Sequence, residues 1–332
     1  MKLDIPSDIA AAPLAVALSG GADSLALAHM LARTHGNLHL LTVDHALRPE
    51  SGDEARQVAD LVANWVANWP GVAHATLRWE GAKPSTRRME SARAARYALM
   101  AEYARAHGIR TLALAHHRDD QTETFLLRLA RGSGIDGLAA MRERTQRDEM
   151  TLWRPLLASH THADLVAYCR EHGLAWIEDP TNANDKYARN RLRMALRGEG
   201  LNDTRLDATL RRIERAADTL RLLSDRLATR ASVAHDDAAW VFDLNALRTE
   251  PFELALRVLR RAVDEQAGAA GYGARLDRLE DLARELLESP AATARTLGGC
   301  VLRVDPHAGT LSVAAEIPAQ AAKTLPLAAN GL

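Results

Sequence analysis

Residues 14–27 read LAVALSGGADSLAL: an apolar run that suits a buried strand, a Ser-Gly-Gly-Ala-Asp-Ser turn, and a helical pattern that follows at once. A strand that enters a helix through two glycines opens a βα unit, and chains built on such units fold as layered α/β proteins. Adjacent glycines let the backbone turn tightly and come close to a ligand. A helix starting near Asp23 presents unpaired N–H groups and a positive dipole end to whatever sits in the turn. Ser19 and Ser24 add hydroxyl donors. The turn is a cradle for phosphate, although the same letters also spell an ordinary strand-to-helix turn with Asp23 or Ser24 as its N-cap. It is not the lysine-bearing loop Gly-x4-Gly-Lys-Ser/Thr, because the lysine is missing.

The alternation continues. Apolar strand patterns fall at Leu14–Leu18, Leu38–Val43, His74–Trp79 and Thr111–Ala115, with helical patterns at Ser24–Thr34, Gly52–Asn68 and Thr86–His107 between them. This order predicts an α/β fold with a doubly wound parallel sheet. Ligands of such sheets sit beyond the carboxyl ends of the strands, which is where Ser19–Ser24, Asp44-His45 and His116–Asp120 fall. After Arg197 the character changes. Gly198-Glu199-Gly200 reads as a boundary, and Arg/Leu/Ala-rich amphipathic helices follow from about Asp203 to Leu287, broken at Gly268–Gly273. Cys300–Val304 and Thr310–Ala314 read as a small hairpin before a frayed tail. The expected division is an α/β domain at 1–200, a smaller helical domain at 201–292, and a short β hairpin with a C-terminal tail at 293–332.

A chain of 332 residues, 47% hydrophobic and 26% charged, has room for two cores and the balance of a soluble globular protein. No stretch reads as a signal peptide or a membrane span. Cys169 and Cys300 lie far apart without ligand-like spacing, which indicates neither a zinc site nor a disulfide framework. The cytoplasm is the expected compartment, with no membrane partner. The formal net charge of −1 argues against a nucleic-acid partner, but the distribution argues for one. Between Asp185 and Arg230, twelve Lys or Arg face seven Asp or Glu, an excess of five positive charges. A basic segment on a neutral protein suits phosphate backbones, and a solvated helix face with mixed i,i+4 pairs is the plainer alternative.

A second run, AHHRDDQTET at 115–124, places two histidines and two acids at a strand's end and then opens a helix. Asp120 and Glu123 are three apart and share a helix face, so the pair could hold an ammonium group. Asp119 or Asp120 could help place Mg²⁺ among phosphates. Taken singly, each of these residues reads as well as a helix cap or a loop histidine. Arg93 and Arg96 share a helix face, from which either could reach a phosphate. The loop Arg131-Gly132-Ser133-Gly134 follows a helix, and alone it could be no more than a C-cap and turn. Arg154-Pro155-Leu156-Leu157, Glu178-Asp179-Pro180-Thr181-Asn182 and Arg189-Asn190-Arg191-Leu192-Arg193 come next.

Ser-Gly-Gly-x-Asp-Ser resembles the pyrophosphate loop of the N-type ATP pyrophosphatases, the PP-loop ATPases of adenine nucleotide α-hydrolase-like fold. The whole series, in this order over residues 14–197, is similar to that of the tRNA(Ile)-lysidine synthetases. The resemblance implies an enzyme that uses ATP and Mg²⁺ to join free L-lysine to C2 of the wobble cytidine of a CAU-anticodon tRNA(Ile). It also implies the site. Asp23, His116, Asp120 and Arg189 would be catalytic, and Ser19, Gly20, Gly21, Ala22, Asp23, Ser24, Arg93, Arg96 and Gly132 would bind ATP. Asp120 and Glu123 would bind lysine, and Asp23 and Asp119 would hold the metal. Arg189, Asn190, Arg193, Arg205 and Arg212 would meet the tRNA. A homodimer is a candidate assembly. Longer members of that family carry a further C-terminal domain, where this chain shows a short hairpin. A PP-loop tRNA thiolase would need cysteines for sulfur transfer, which argues against that rival. A non-catalytic nucleotide or RNA-binding protein would have no use for the second substrate site.

Overall fold

The computed structural model describes residues 3–47, 50–81, 83, 88–178, 203–235, 239–267, 275–289 and 291–316. Arg189, Asn190 and Arg193 lie outside these residues, as do Asp179–Asn182, the Gly198–Gly200 boundary and the Gly268–Gly273 break. The chain divides into two compact units, Met1–Arg211 and Arg212–Leu332.

The first unit opens with a short helix α1 (Ser7–Ala10), then β1 (Leu14–Ala17), α2 (Ala22–Ala32), β2 (Leu38–Asp44), α3 (Ser51–Asn68) and β3 (Val72–Arg78). It continues with α4 (Arg88–Ala106), β4 (Thr111–Ala113), α5 (Arg118–Leu129) and α6 (Ile135–Leu138). The strands β5 (Arg144–Arg147) and β6 (Met150–Trp153) follow, and then α7 (His162–Glu171). The six strands form one sheet in the order β3-β2-β1-β4-β6-β5. All neighbours are parallel except β5 and β6, which are antiparallel.

Period-two alternation sorts the strand residues onto two faces. Leu14, Val16, Leu18, Leu38 and Leu40 pack with α2, α3 and α7. Ala15, Leu41, Leu112 and Leu152 pack with Tyr97, Met100 and Ala104 of α4. Helices thus cover both faces, as the doubly wound reading expects. Strand order reverses between β1 and β4, because β1 leads outward to β2 on one side while β4 lies on the other. At such a switch point the loops beyond the strand ends diverge and leave a crevice.

The reading of the sequence missed β5 and β6. Arg144-Thr145-Gln146-Arg147 has no apolar run, and three of its four residues are exposed because it closes the sheet's edge.

A long helix α8 (Asp203–Ala231) runs into the second unit. There follow β7 (Ser232–His235), β8 (Ala239–Asp243), α9 (Leu244–Arg248), α10 (Phe252–Ala267), α11 (Leu276–Glu288), β9 (Thr293–Leu297), β10 (Cys300–Asp305) and β11 (Thr310–Ala315). The hairpin read at Cys300–Val304 and Thr310–Ala314 is here the pair β10–β11, inside a five-stranded antiparallel sheet ordered β7-β8-β11-β10-β9. An expectation of helices and one hairpin is therefore corrected to helices packed on a sheet. Trp240 and Phe242 of β8 point inward with Leu302, Val304, Leu311 and Val313, against Leu256, Leu259 and Leu282 of the helices. Among the described residues, no helix is long and apolar enough to cross a membrane.

Candidate active site

The loop after β1 is fixed by its own side chains. The Ser19 N–H donates to Ser24 Oγ at 3.1 Å, and the Ser24 hydroxyl donates to the Gly21 carbonyl at 3.0 Å. Gly20 has φ +86, and a Cβ there would stand 2.6 Å from Val58 Cγ2 and 3.1 Å from Ile177 Cδ1. Only glycine combines that left-handed backbone with so close an approach. The Ile177 N–H donates to the Gly20 carbonyl at 2.9 Å, which brings the stretch leading into Glu178 over the loop. Helix α2 begins at Ala22 with Gly21 as N-cap and no capping side chain, so its first N–H groups are left for a ligand.

Asp23, in the first turn of α2, is the centre of the site. Its Oδ1 lies 2.8 Å from His162 Nδ1, and its Oδ2 lies 3.5 Å from His117 Nε2. His117 is 3% exposed and caps α5, where its N–H donates to Asp120 Oδ2 at 3.1 Å. Its ring nitrogens stand 3.5 Å from Asp120 and 3.6 Å from Asp119. Asp119 in turn accepts the His162 N–H at 2.8 Å, and the Arg118 N–H donates to the His160 carbonyl at 2.9 Å. The N-terminal ends of α2, α5 and α7 therefore meet at Asp23. Helix α7 reaches this position because it packs along α2, with Cys169 Sγ donating to the Ala22 carbonyl at 3.4 Å and Tyr168 bonded to His29 at 2.8 Å.

Burial alone would raise the pKa of Asp23, but His117 and His162 outweigh it and hold the carboxyl at about 2. Burial also works against charge on His117, yet Asp23, Asp120 and Asp119 together raise its pKa above the usual histidine value. These opposite shifts define a pH window. The Asp23 contribution to stability is present above the ordinary value of 3.8 and lost as pH falls toward 2. The His117 contribution is full below its ordinary 6.5 and lost as pH rises through the raised value. The stability difference between the wild type and Asp23→Asn is expected to be largest between these limits and to shrink on both sides. Thermal unfolding followed across pH checks this, and a difference that does not vary with pH would refute it.

His116 behaves in the opposite way. Burial is the main cause, opposed by Asp120 and aided by Arg154, Arg93 and Arg96, and its pKa falls to about 4. It is therefore a neutral imidazole at neutral pH, with a buried Nδ1 that has no hydrogen-bond partner. Arg96 is half-buried, and its charge also reaches His45 beyond β2, whereas Arg93 is exposed. Glu123 is 2% exposed, one turn along α5 from Asp120.

The structure thus brings together Ser19–Ser24, Asp119 and Asp120, with His116, Arg96 and Arg93 within electrostatic reach, while Glu123 is buried one turn further along α5. Gly132 is set apart. It takes φ +69 in the turn that ends α5, where its N–H donates to the Leu129 carbonyl, and the twelve residues of α5 separate it from His117 by about 18 Å. Arg205 and Arg212 are exposed on α8.

Two residues escaped the reading of the sequence as site members. His117 was seen only as part of its run, and His162 was not seen at all. The one local sign of His162 is the capping pattern Thr161-x-x-Asp164, in which each residue's backbone N–H donates to the other's side chain. Asp23, His117 and His162 offer three ligand atoms within 4.8 Å of one another, a grouping able to hold a metal ion. Arg154, which the sequence offers only as the head of its run Arg154-Pro155-Leu156-Leu157, is given no role there. It is buried, with Nη1 donating to the Arg142 carbonyl and to Thr145 Oγ1.

Comparison with known proteins gives a consistent picture. Residues 4–199 match the PP-loop domain family. The chain is 41% identical over 268 residues to a tRNA(Ile)-lysidine synthase of Bradyrhizobium sp., covering 76% of this chain and 73% of that one. It is 40% identical over 329 residues to the tRNA(Ile)-lysidine synthase of Methylobacterium nodulans, covering 94% and 93%. Among solved structures, the U34-tRNA thiolase NcsA from Methanococcus maripaludis, with its 4Fe–4S cluster, aligns with a TM-score of 0.53 at 16% identity, over 64% of this chain and 75% of that one. That likeness is one of fold alone.

Proposed function

The chain belongs to the tRNA(Ile)-lysidine synthase family, a family of ATP-using ligases, and from that premise we propose how its residues carry the reaction. The substrates are ATP, free L-lysine and a tRNA(Ile) with a CAU anticodon. In the first step the C2 oxygen of the wobble cytosine attacks the α-phosphate, the α–β bond breaks, and pyrophosphate leaves. In the second step the lysine ε-amine attacks C2 and AMP leaves, which completes lysidine. Adenylation is needed because an amide-like oxygen is a poor leaving group, whereas AMP is a good one.

The observation that carries this reading is the meeting of three helix N-termini around the Ser19–Ser24 loop at the sheet's switch point. The uncapped N–H groups at the start of α2, and the dipole of that helix, suit a leaving pyrophosphate. Asp23 and Asp119, both bonded to His162, give oxygen donors of the kind that holds Mg²⁺ together with phosphates. A bound Mg²⁺ would supply charge neutralisation at the phosphate oxygens. Arg96 is the arginine assigned to the nucleotide phosphates, because it is the more buried of the α4 pair. Asp120 and Glu123 hold an ammonium group of lysine. His116, kept neutral, has a lone pair able to take the proton that the ε-ammonium must lose before it attacks. Arg189, Asn190 and Arg193 are assigned to the target nucleotide, and Arg205 and Arg212 to the tRNA backbone, with salt-dependent affinity.

The deciding experiment is ATP–pyrophosphate exchange with and without the CAU-anticodon tRNA, followed by transfer of labelled lysine to that tRNA. Exchange that depends on the tRNA, then one lysine per tRNA, is the expected result. Exchange indifferent to the tRNA with no lysine transferred would overturn the assignment.

A further inference from the structure

Magnesium takes oxygen donors, so the two imidazoles that face Asp23 exceed what a magnesium–phosphate site requires. Imidazole nitrogens select borderline transition ions instead. We propose that Asp23, His117 and His162 form a site for a divalent ion of the zinc class inside the pyrophosphate loop. The proposal rests on the reading of that loop as a phosphate seat and adds to it a second class of metal.

The ligand atoms are an Asp23 carboxylate oxygen, His117 Nε2 and His162 Nδ1, all within 4.8 Å of one another. Zinc bonds of about 2.1 Å span roughly 3.4 Å between tetrahedral donors, so small side-chain rotations close the three onto one ion. Each ligand sits at the N-terminal end of a helix, α2, α5 or α7, so the backbone under it is fixed. Behind them stands Asp119. Its Oδ2 lies 3.6 Å from His117 Nδ1, the ring nitrogen turned away from the ion, and accepts the His162 N–H at 2.8 Å. At 3.6 Å the contact with His117 is too long for a hydrogen bond, and His117 Nδ1 is buried without a partner. A small turn of the ring onto a metal would let Asp119 accept the Nδ1 proton and support the ligand from behind.

Three helix N-termini would repel a cation, but Asp23, Asp119 and Asp120 bring three carboxylates to the same place. The outer side is open, because the side chains of Asp23 and His162 are 31% and 53% exposed. Three protein ligands with one open position is the arrangement that lets an ion take a substrate oxygen as its fourth ligand. That oxygen would come from a phosphate.

The test is titration of the untagged, metal-free protein with Co²⁺ in the absence of nucleotide, read by visible d–d absorption and by equilibrium dialysis. One Co²⁺ per chain, displaced by Zn²⁺, is the expected result. His162→Ala should weaken binding by at least a hundredfold, and Asp119→Asn by about tenfold through the lost support behind His117. Because the His162 side chain is half exposed, its removal leaves the fold in place, which circular dichroism verifies. Co²⁺ bound equally by the wild type and His162→Ala, or not bound at all, would overturn the site. Lysine transfer in Mg²⁺ is measured beside it: transfer without Co²⁺ binding removes this inference alone, and Co²⁺ binding without transfer removes the functional reading alone.

Discussion

Asp23→Ala is expected to reduce tRNA-dependent ATP–pyrophosphate exchange by about a thousandfold or more, equivalent to about 4 kcal/mol of lost transition-state stabilisation. The reasoning starts from an apparent conflict. An ionised carboxylate in the first turn of α2 should repel the polyphosphate that the same turn attracts. Asp23 is held firmly in that ionised form, with a pKa of about 2. Its charge is therefore useful only if a cation stands between it and the phosphates. On the proposed function two groups could serve, a divalent ion held by the carboxylate oxygens and the His117 ring, whose protonated form Asp23 favours. Alanine removes the support of both. The fold should survive, because His117 keeps Asp119 and Asp120 at 3.6 and 3.5 Å. Asp23→Asn separates charge from shape: it can still bond to His162 yet should be nearly as inactive. Wild-type exchange in either variant, measured at saturating ATP, would refute the role.

The second large effect is expected from Glu123→Ala, on the lysine step alone. Glu123 is 2% exposed, and a buried carboxylate that meets an ammonium contributes roughly 2–5 kcal/mol when its partner is lost. The kcat/KM for lysine should fall by a hundredfold or more, while pyrophosphate release on mixing enzyme, ATP and tRNA stays within a few-fold of normal. Glu123→Gln keeps the shape and removes the charge, and it should show the same split. Loss of pyrophosphate release together with lysine transfer would mean that Glu123 supports the whole loop and does not select the amine.

What could be read from the letters follows from how local each cause is. The Ser19–Ser24 loop was legible because a glycine pair, a strand and a helix start are all local signals. The parallel sheet was legible for the same reason, through apolar runs at Leu14, Leu38 and Thr111. His162 was not, since it meets Asp23 across 139 positions and only through the packing of α7 on α2. Strand β9, Thr293–Leu297, was hidden because its letters carry no apolar run and it is a strand only by its register against Cys300–Val304. Gly132 shows the reverse difficulty. A glycine with positive φ serves a ligand turn or a helix end equally well, and the letters around it fit both.

Helix α2 is buried along nearly its whole length, and four of its eleven residues are alanines, at 22, 26, 28 and 32. Small side chains let neighbouring elements close in on it from every side, and a rod held so tightly cannot tilt or slide. The nucleotide seat proposed at its tip would therefore be in its final shape before any nucleotide arrives. On the proposed function, little of the binding free energy would then be lost to reorganisation, and the dipole of α2 would act on the pyrophosphate as strongly in the first encounter as in the transition state.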